Sequence, residues 1–208
     1  MDCGSVKCVN RAPSRSSLLI RVRQRVSRWC WGGVWRHRLG ALGPGSWIEG
    51  PAWVFNGKGV RVGSNVSVWR GARLESFRVD SGLGRIEIGD GSVIQPGVHI
   101  GAAERVSIGR GVLMASHVYI TDHDHDWSNA DEPVITHRRL SVAPVEIGDY
   151  AWLGERVMVL KGVRVGEHSI IGAGSVVTRS VPAYCVAVGS PARVVRKWDA
   201  ATRSWVRV

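Results

Sequence analysis

From residue 48 onward the chain repeats in sixes. Aliphatic side chains fall at Val62, Val68 and Leu74, at Ile88, Ile94 and Ile100, at Ile108, Met114 and Ile120, at Ile147, Leu153 and Val159, and at Val165, Ile171 and Val177. Small or branched residues stand two positions earlier, among them Val66, Ala72, Ser92, Val98, Val112, Val118, Val157, Ser169 and Ser175, and a glycine often follows, as at Gly63, Gly89, Gly109, Gly148, Gly154 and Gly172. A helix of 3.6 residues per turn would smear such a series around its surface. An even period keeps side chains on one side of a strand. Three short strands joined by bends make a coil of 18, which stacks each aliphatic on the one 18 residues earlier. The reading is an all-β parallel β-helix, whose known sequence signature is a six-residue period. One coil alone cannot bury its apolar edge, so stacking supplies the core.

The phase breaks are informative. Leu74 to Ile88 is 14 residues, two more than two hexads, and Ile100 to Ile108 is eight, again an excess of two. Ile120 to Ile147 is 27, so about 21 residues leave the coil and return. Solenoids carry insertions as surface loops, often on a binding face. A long loop in a compact repeat is usually functional or disordered.

The 208 residues suit one domain with an appendage. Hydrophobic content of 44% with 22% charged residues excludes wholesale disorder. No stretch approaches the roughly 18 apolar residues of a membrane span. Leu18, Leu19 and Ile20 are too short an apolar run for a signal-peptide core, so the expected location is cytoplasmic. Cys3, Cys8, Cys30 and Cys185 show no CxxC spacing and read as free thiols in a reducing compartment. The net charge of +11 invites a nucleic-acid reading, but it is unevenly placed. Residues 1–45 hold nine basic residues and one acid (+8), residues 193–208 hold five and one (+4), and residues 46–192 hold 14 and 15 (−1). With a neutral body and no recognisable nucleic-acid-reading motif, no nucleic-acid partner is expected.

Three segments carry a family likeness: VYITDHDHDWSN at 118–129, VEIGDYAWLGERVMVLKGVRVGEHSIIGAGSVVTRSVP at 145–182, and AVGSPARVVR at 187–196. Over residues ~48–196 the chain resembles the hexapeptide-repeat acyltransferases, closest to the branch with galactoside, maltose and antibiotic acetyltransferases and the O-acetyltransferases of lipopolysaccharide and capsule synthesis. The resemblance implies a left-handed β-helix. That hand opposes the usual right-handed crossover of parallel strands, and periodicity does not reveal it. Three segments are expected: a basic amphipathic arm (1–45), a β-helix acetyltransferase domain (46–192) with a long loop at 121–144, and a short basic C-terminal tail (193–208).

The resemblance also implies acetyl transfer from acetyl-CoA to a hydroxyl or amine, without a metal. A hydroxyl is a weak nucleophile, and a histidine base that takes its proton contributes roughly 10²–10⁴-fold. By resemblance the base is His123, with His125 the runner-up or an acceptor contact. Asp122 or Asp124 could orient the imidazole, and Trp127 with the acidic loop suits a sugar acceptor. Trp152 matches a family tryptophan. Its indole N–H, a donor only, suits the thioester oxyanion or the acceptor, and the ring could instead lie along the CoA arm. Small residues such as Gly154, Ala173 and Gly174 would admit pantetheine, with Thr178 and Arg179 further along the same track. Arg193, Arg196 and Lys197 suit the CoA phosphates. Members are typically trimers with active sites between subunits, so His123 of one chain is expected to face Trp152 of its neighbour.

Residues 15–31 place Leu18, Val22, Val26 and Trp29 on one helical face and Arg21, Arg25 and Arg28 on another. Such a helix, with Trp31 and Trp35 following, suits peripheral docking of residues 15–35 on an anionic membrane. The favoured reading is instead a cap across the first coil, which a solenoid needs in any case. The preferred activity is O-acetylation of a sugar hydroxyl in polysaccharide or lipopolysaccharide modification. N-acetylation of an amino sugar or antibiotic is the alternative. A zinc hydratase would need His99 and His117 stacked, which the two-residue insertion between them spoils, and a non-enzymatic scaffold completes the set.

Overall fold

The computed structural model describes residues 34–137 and 139–208. The expected helix over 15–31 lies outside them. What is described is a coil of short strands with three flat faces. The first face runs through Ala41–Leu42, Val60–Val62, Arg85–Ile88, Arg105–Ile108, Val145–Ile147 and Arg164–Val165. The second holds Trp47–Ile48, Ser67–Val68, Val93–Ile94, Leu113–Met114, Trp152–Leu153 and Ile170–Ile171. The third holds Trp53–Phe55, Arg73–Ser76, His99–Ala102, Tyr119–Thr121, Met158–Val159 and Val176–Val177. Every pairing between successive coils on these faces is parallel, as the hexad period requires.

The aliphatics of the repeat form the inner columns. Val62, Ile88, Ile108, Ile147 and Val165 stack on the first face, Val68, Ile94, Met114, Leu153 and Ile171 on the second, and Leu74, Ile100, Ile120, Val159 and Val177 on the third, all buried. Serine serves at three inner corner positions because its hydroxyl is satisfied there. Ser92 Oγ donates to the Gly109 carbonyl at 2.9 Å and accepts the Val112 N–H at 3.0 Å. Ser169 Oγ likewise donates to the Pro182 carbonyl and accepts the Cys185 N–H, while Ser175 Oγ donates to the Gly172 carbonyl in its own turn and accepts the Gly189 N–H.

The first phase break differs from its sequence reading. Leu74 and Ile88 sit on adjacent faces, so their 14 residues are one step of six plus eight that leave the coil, rather than two hexads plus two. The excursion forms a small antiparallel hairpin, Arg78–Val79 with Gly82–Leu83. All three insertions leave from one corner, between the third and first faces. The pair after Ala102 and the long loop after Thr121 are the other two.

The ends are closed differently. A helical turn at 34–38 buries Trp35 and Leu39 in the apolar core at the first coil. Trp35 is therefore part of a cap and not a membrane-facing anchor. No helix among the described residues is long and apolar enough to cross a membrane. At the other end the expected basic tail is built into the second-face sheet. Cys185–Gly189 adds in parallel to Ile170–Ile171, then Ala192–Asp199 and Ser204–Arg207 add antiparallel.

Candidate active site

The long loop begins where Tyr119–Thr121 ends. His123–His125 turns out of the coil and pairs antiparallel with Leu140–Val142, and the Ala143 N–H closes the mouth on the Asp122 carbonyl at 2.8 Å. Asp122, between coil and hairpin, turns inward and is wholly buried. Its Oδ1 accepts the N–H of Ala103 and its Oδ2 the N–H groups of Glu104 and Arg105, all at 2.7 Å. Those amides belong to the two-residue insertion one coil below and to Arg105, which opens the strand after it. The second phase break thus builds the socket for this carboxylate.

Oδ1 of Asp122 also meets His123 Nδ1 at 2.8 Å. Thr121 Oγ1 lies 3.2 Å from the same nitrogen and donates to the His123 carbonyl at 3.0 Å. Burial alone would raise the Asp122 carboxyl. The bonds from His123 and from the amides of Ala103, Glu104 and Arg105 outweigh it and hold the group below the ordinary aspartate range. An ionised carboxylate only accepts, so the contact calls for a proton on His123 Nδ1, which in a neutral imidazole leaves the lone pair on Nε2. The side chain of His123 is only 16% exposed, so this imidazole sits in a recess.

A second histidine lies close by. His99 Nε2 meets Glu75 Oε2 at 2.7 Å, and Arg73 Nη2 meets Glu75 Oε1 at 2.8 Å. Burial pulls the His99 imidazole below its usual value, which the Glu75 carboxylate partly offsets. Burial would raise Glu75, but the bonds from Arg73 and His99 bring it below the usual carboxylate range. Phe77 meets the His123 ring edge-on at 4.9 Å between centroids. Beneath lies Gly101, where a Cβ would stand 3.3 Å from His123 Cε1, 3.5 Å from Phe77 and 3.9 Å from His99 Nε2. Sequence reasoning did not single out Glu75, Phe77 or Gly101. The signal that brings them together is the register, which sets Phe55, Glu75, Gly101 and Thr121 in one outward row.

The other expected site residues divide. His125 continues the outward side of the hairpin and is exposed. Asp124 faces away from it and reaches Lys161 Nζ at 3.8 Å, so it does not orient His123. Trp127 is exposed over a small cleft with Asp126 and Lys161. Trp152 stands outward on the second face, half exposed. In a three-faced coil the corner that carries His123 is opposite that face, so the two cannot meet within one chain. Gly154, Ala173 and Gly174 share the corner between the second and third faces, where Gly154 N–H bonds Ile171 and Gly174 N–H bonds Glu155. Thr178 and Arg179 follow Val177 at the next corner instead of continuing that track. The register sets Trp152, Ile170, Val186 and Arg196 in one outward row, and Arg193 faces the same side through Val188. Three strand spacings put Arg196 about 14 Å from Trp152. Lys197 pairs with Cys185 and takes the opposite side.

His99 and His117 do not converge. The coil partner of His99 is Tyr119, and His117 turns a corner above Gly97. Among the described residues no three His, Cys, Asp or Glu side chains form a group that could hold a metal ion.

Residues 144–179 match the model of the bacterial transferase hexapeptide family (six repeats). The chain is 36% identical to the putative lipopolysaccharide biosynthesis O-acetyl transferase WbbJ of Escherichia coli over 76% of this chain and 82% of that one. It is 33% identical to a probable acetyltransferase of Mycobacterium tuberculosis over 71% of this chain and 52% of the relative. Among solved structures, the hexapeptide-repeat acetyltransferase VCA0836 of Vibrio cholerae superposes with a TM-score of 0.62 at 22% identity, over 88% of this chain and 90% of that one. The N-acyltransferase AntD of Bacillus cereus, solved with dTDP and 3-hydroxybutyryl-CoA, gives 0.71 at 18% identity over 85% and 92%. The fold is the left-handed parallel β-helix of these enzymes.

Proposed function

The chain belongs to the hexapeptide-repeat acetyltransferases, and from that premise we propose that it moves acetyl from acetyl-CoA to a sugar hydroxyl of a lipopolysaccharide or polysaccharide glycan. The observation that carries this reading is the His123–Asp122 pair, 2.8 Å apart and anchored on three backbone amides. The relationship to an enzyme named for lipopolysaccharide O-acetylation supports the choice of a glycan hydroxyl.

The acceptor hydroxyl donates to His123 Nε2, which takes its proton as the oxygen attacks the thioester carbonyl. Asp122 stabilises the imidazolium that forms, while its amide socket keeps it from rotating away. The carbonyl oxygen becomes an oxyanion, for which the Trp152 indole N–H is the candidate donor. One such donor is worth on the order of 3 kcal/mol. Collapse expels the CoA thiolate, which recovers the proton from His123. CoA then runs from Trp152 along the second face, with Arg193 and Arg196 as the phosphate ligands.

Because His123 and Trp152 lie on opposite sides of one coil, a complete site needs a second subunit. The proposed assembly is a homotrimer with three inter-subunit sites. Acetyl-CoA supply places it in the cytoplasm, and the basic segment before residue 34 is the part that would hold it near a membrane. The test is thiol release from acetyl-CoA across sugar, glycan and amino-sugar acceptors. Hydroxyl acceptors should give turnover in the natural protein and a loss of at least about 10²-fold in His123→Ala. Equal rates in both proteins would sink the assignment, and turnover confined to amines would replace O- with N-acetylation.

A further inference from the structure

Beside His123 lies a group of side chains that acetyl transfer, as described, does not employ. The chain has two phenylalanines, and both are here. Phe77 meets His123 at 4.9 Å, and Phe55, one coil below, meets Phe77 at 6.0 Å. Phe55 is 44% exposed and Trp53, on the same outward side, 61%. These rings form a line that starts at the reactive imidazole and runs toward the first coil. Along its flank runs the charged chain Arg73–Glu75–His99. Glu75 sits directly over Phe55 in the register, and Arg73 and His99 stand over Trp53 in the neighbouring row. Glu75 is nine-tenths buried, so the pair it holds is fixed in place. Arg73 directs Nη2 to Glu75 and is otherwise largely solvent-exposed, with further donors to offer.

Aromatic rings, two exposed and Phe77 half-buried, beside an ordered charged rim suit one chemistry in particular. A pyranose has an apolar C–H face that lies on an aromatic ring and a rim of hydroxyls that bond to carboxylate, guanidinium and imidazole. A purely apolar partner would leave the Arg73–Glu75–His99 chain desolvated without new bonds, at a cost. We propose that Phe77, Phe55 and Trp53, rimmed by Arg73, Glu75 and His99, form a pyranose-binding track for the acceptor glycan. The sugar at Phe77 presents its hydroxyl to His123, and the next sugar of the glycan lies on Phe55 and Trp53. The two ring-sized platforms in line select an acceptor of at least two sugars. This choice of ligand rests on the transferase reading above.

The experiment is saturation-transfer NMR on the full chain. The probes are the methyl glycosides of glucose, galactose and rhamnose, with maltose and cellobiose. Saturation of ring C–H protons is expected for at least one probe, stronger for the disaccharides. Phe55→Ala and Trp53→Ala should each weaken disaccharide binding by about tenfold, and His123→Ala, which removes one hydrogen bond to the acceptor, should weaken it by less. No transfer to any probe, or binding unchanged in both aromatic variants, overturns the track. So does a smaller sedimenting species for those variants, which would make the rings a subunit contact. Sugar binding without thiol release above His123→Ala would instead leave the track standing and remove the transferase reading.

Discussion

Asp122→Asn offers a test in which structure and chemistry make coupled demands. The natural carboxylate accepts four bonds, from Ala103 and His123 at Oδ1 and from Glu104 and Arg105 at Oδ2. An asparagine has one oxygen to offer and must turn its NH₂ toward the remaining donors. With its oxygen toward Glu104 and Arg105 it orphans one backbone N–H, that of Ala103. With its oxygen toward Ala103 and His123 it orphans two. A buried orphaned donor costs about 1–3 kcal/mol, and the charge-assisted character of the other bonds is lost as well. The first placement is favoured, with a destabilisation of roughly 2–4 kcal/mol. It points the NH₂ at His123 Nδ1, which must then accept. The imidazole proton moves to Nε2, the nitrogen that has to act as base. A wrong tautomer of this kind costs on the order of 10⁴ in kcat in a comparable triad. Urea unfolding and steady-state thiol release on the same preparation read both quantities. The stability difference has a pH signature. The Asp122 carboxyl is held below its unfolded value, so its stabilisation is present above about pH 4 and is lost as pH falls through the folded value. Asparagine does not titrate there, so the gap between the two proteins should narrow in acid. Retention of kcat within threefold, or a stability gap constant from pH 7 to pH 3, would refute the reasoning.

Three other outcomes follow from the geometry. Gly101→Ala meets no positive-φ strain but places a Cβ 3.3 Å from His123 Cε1. It should cut kcat by about tenfold through displacement of the ring with little change in the thermal midpoint; an equal loss of stability and rate would show a packing role only. Inactive His123→Ala and Trp152→Ala proteins, unfolded and refolded together, should recover activity because mixed assemblies contain some intact sites, and a mixture as dead as its parents would remove the shared inter-subunit site. Arg196→Ala should raise acetyl-CoA KM about tenfold while Lys197→Ala changes it little, because only Arg196 shares the outward row with Trp152; equal effects would remove the second-face path for CoA.

Much of this molecule was legible in the chain, and the part that was not has a common cause. Hexads and even-numbered alternation identify Ile94, Ile120 or Ile171 as core without reference to any partner, because inward orientation is a local property of a strand. His123 stood out as a candidate by resemblance because its surroundings in the chain, ITDH at a loop origin, are local too. Trp35 was left between a membrane surface and a cap, and only its burial in the core decides for the cap, since a single tryptophan carries no record of what covers it.

What the sequence by itself determined was the period, the inner columns, the loop and the candidate histidine at its origin. What the tertiary structure alone decided was which residues share a row, and therefore which can act together. Insertions of two, eight and about 21 residues shift every later coil relative to the earlier ones, so neighbours across coils stand at separations that no fixed period announces. The ladder of backbone hydrogen bonds settles those separations. It puts the Ala103–Arg105 amides under Asp122, Gly101 and Phe77 against His123, and Trp152 on the far side of the coil. It also parts Arg196 from Lys197, adjacent in the chain, onto opposite faces of a strand.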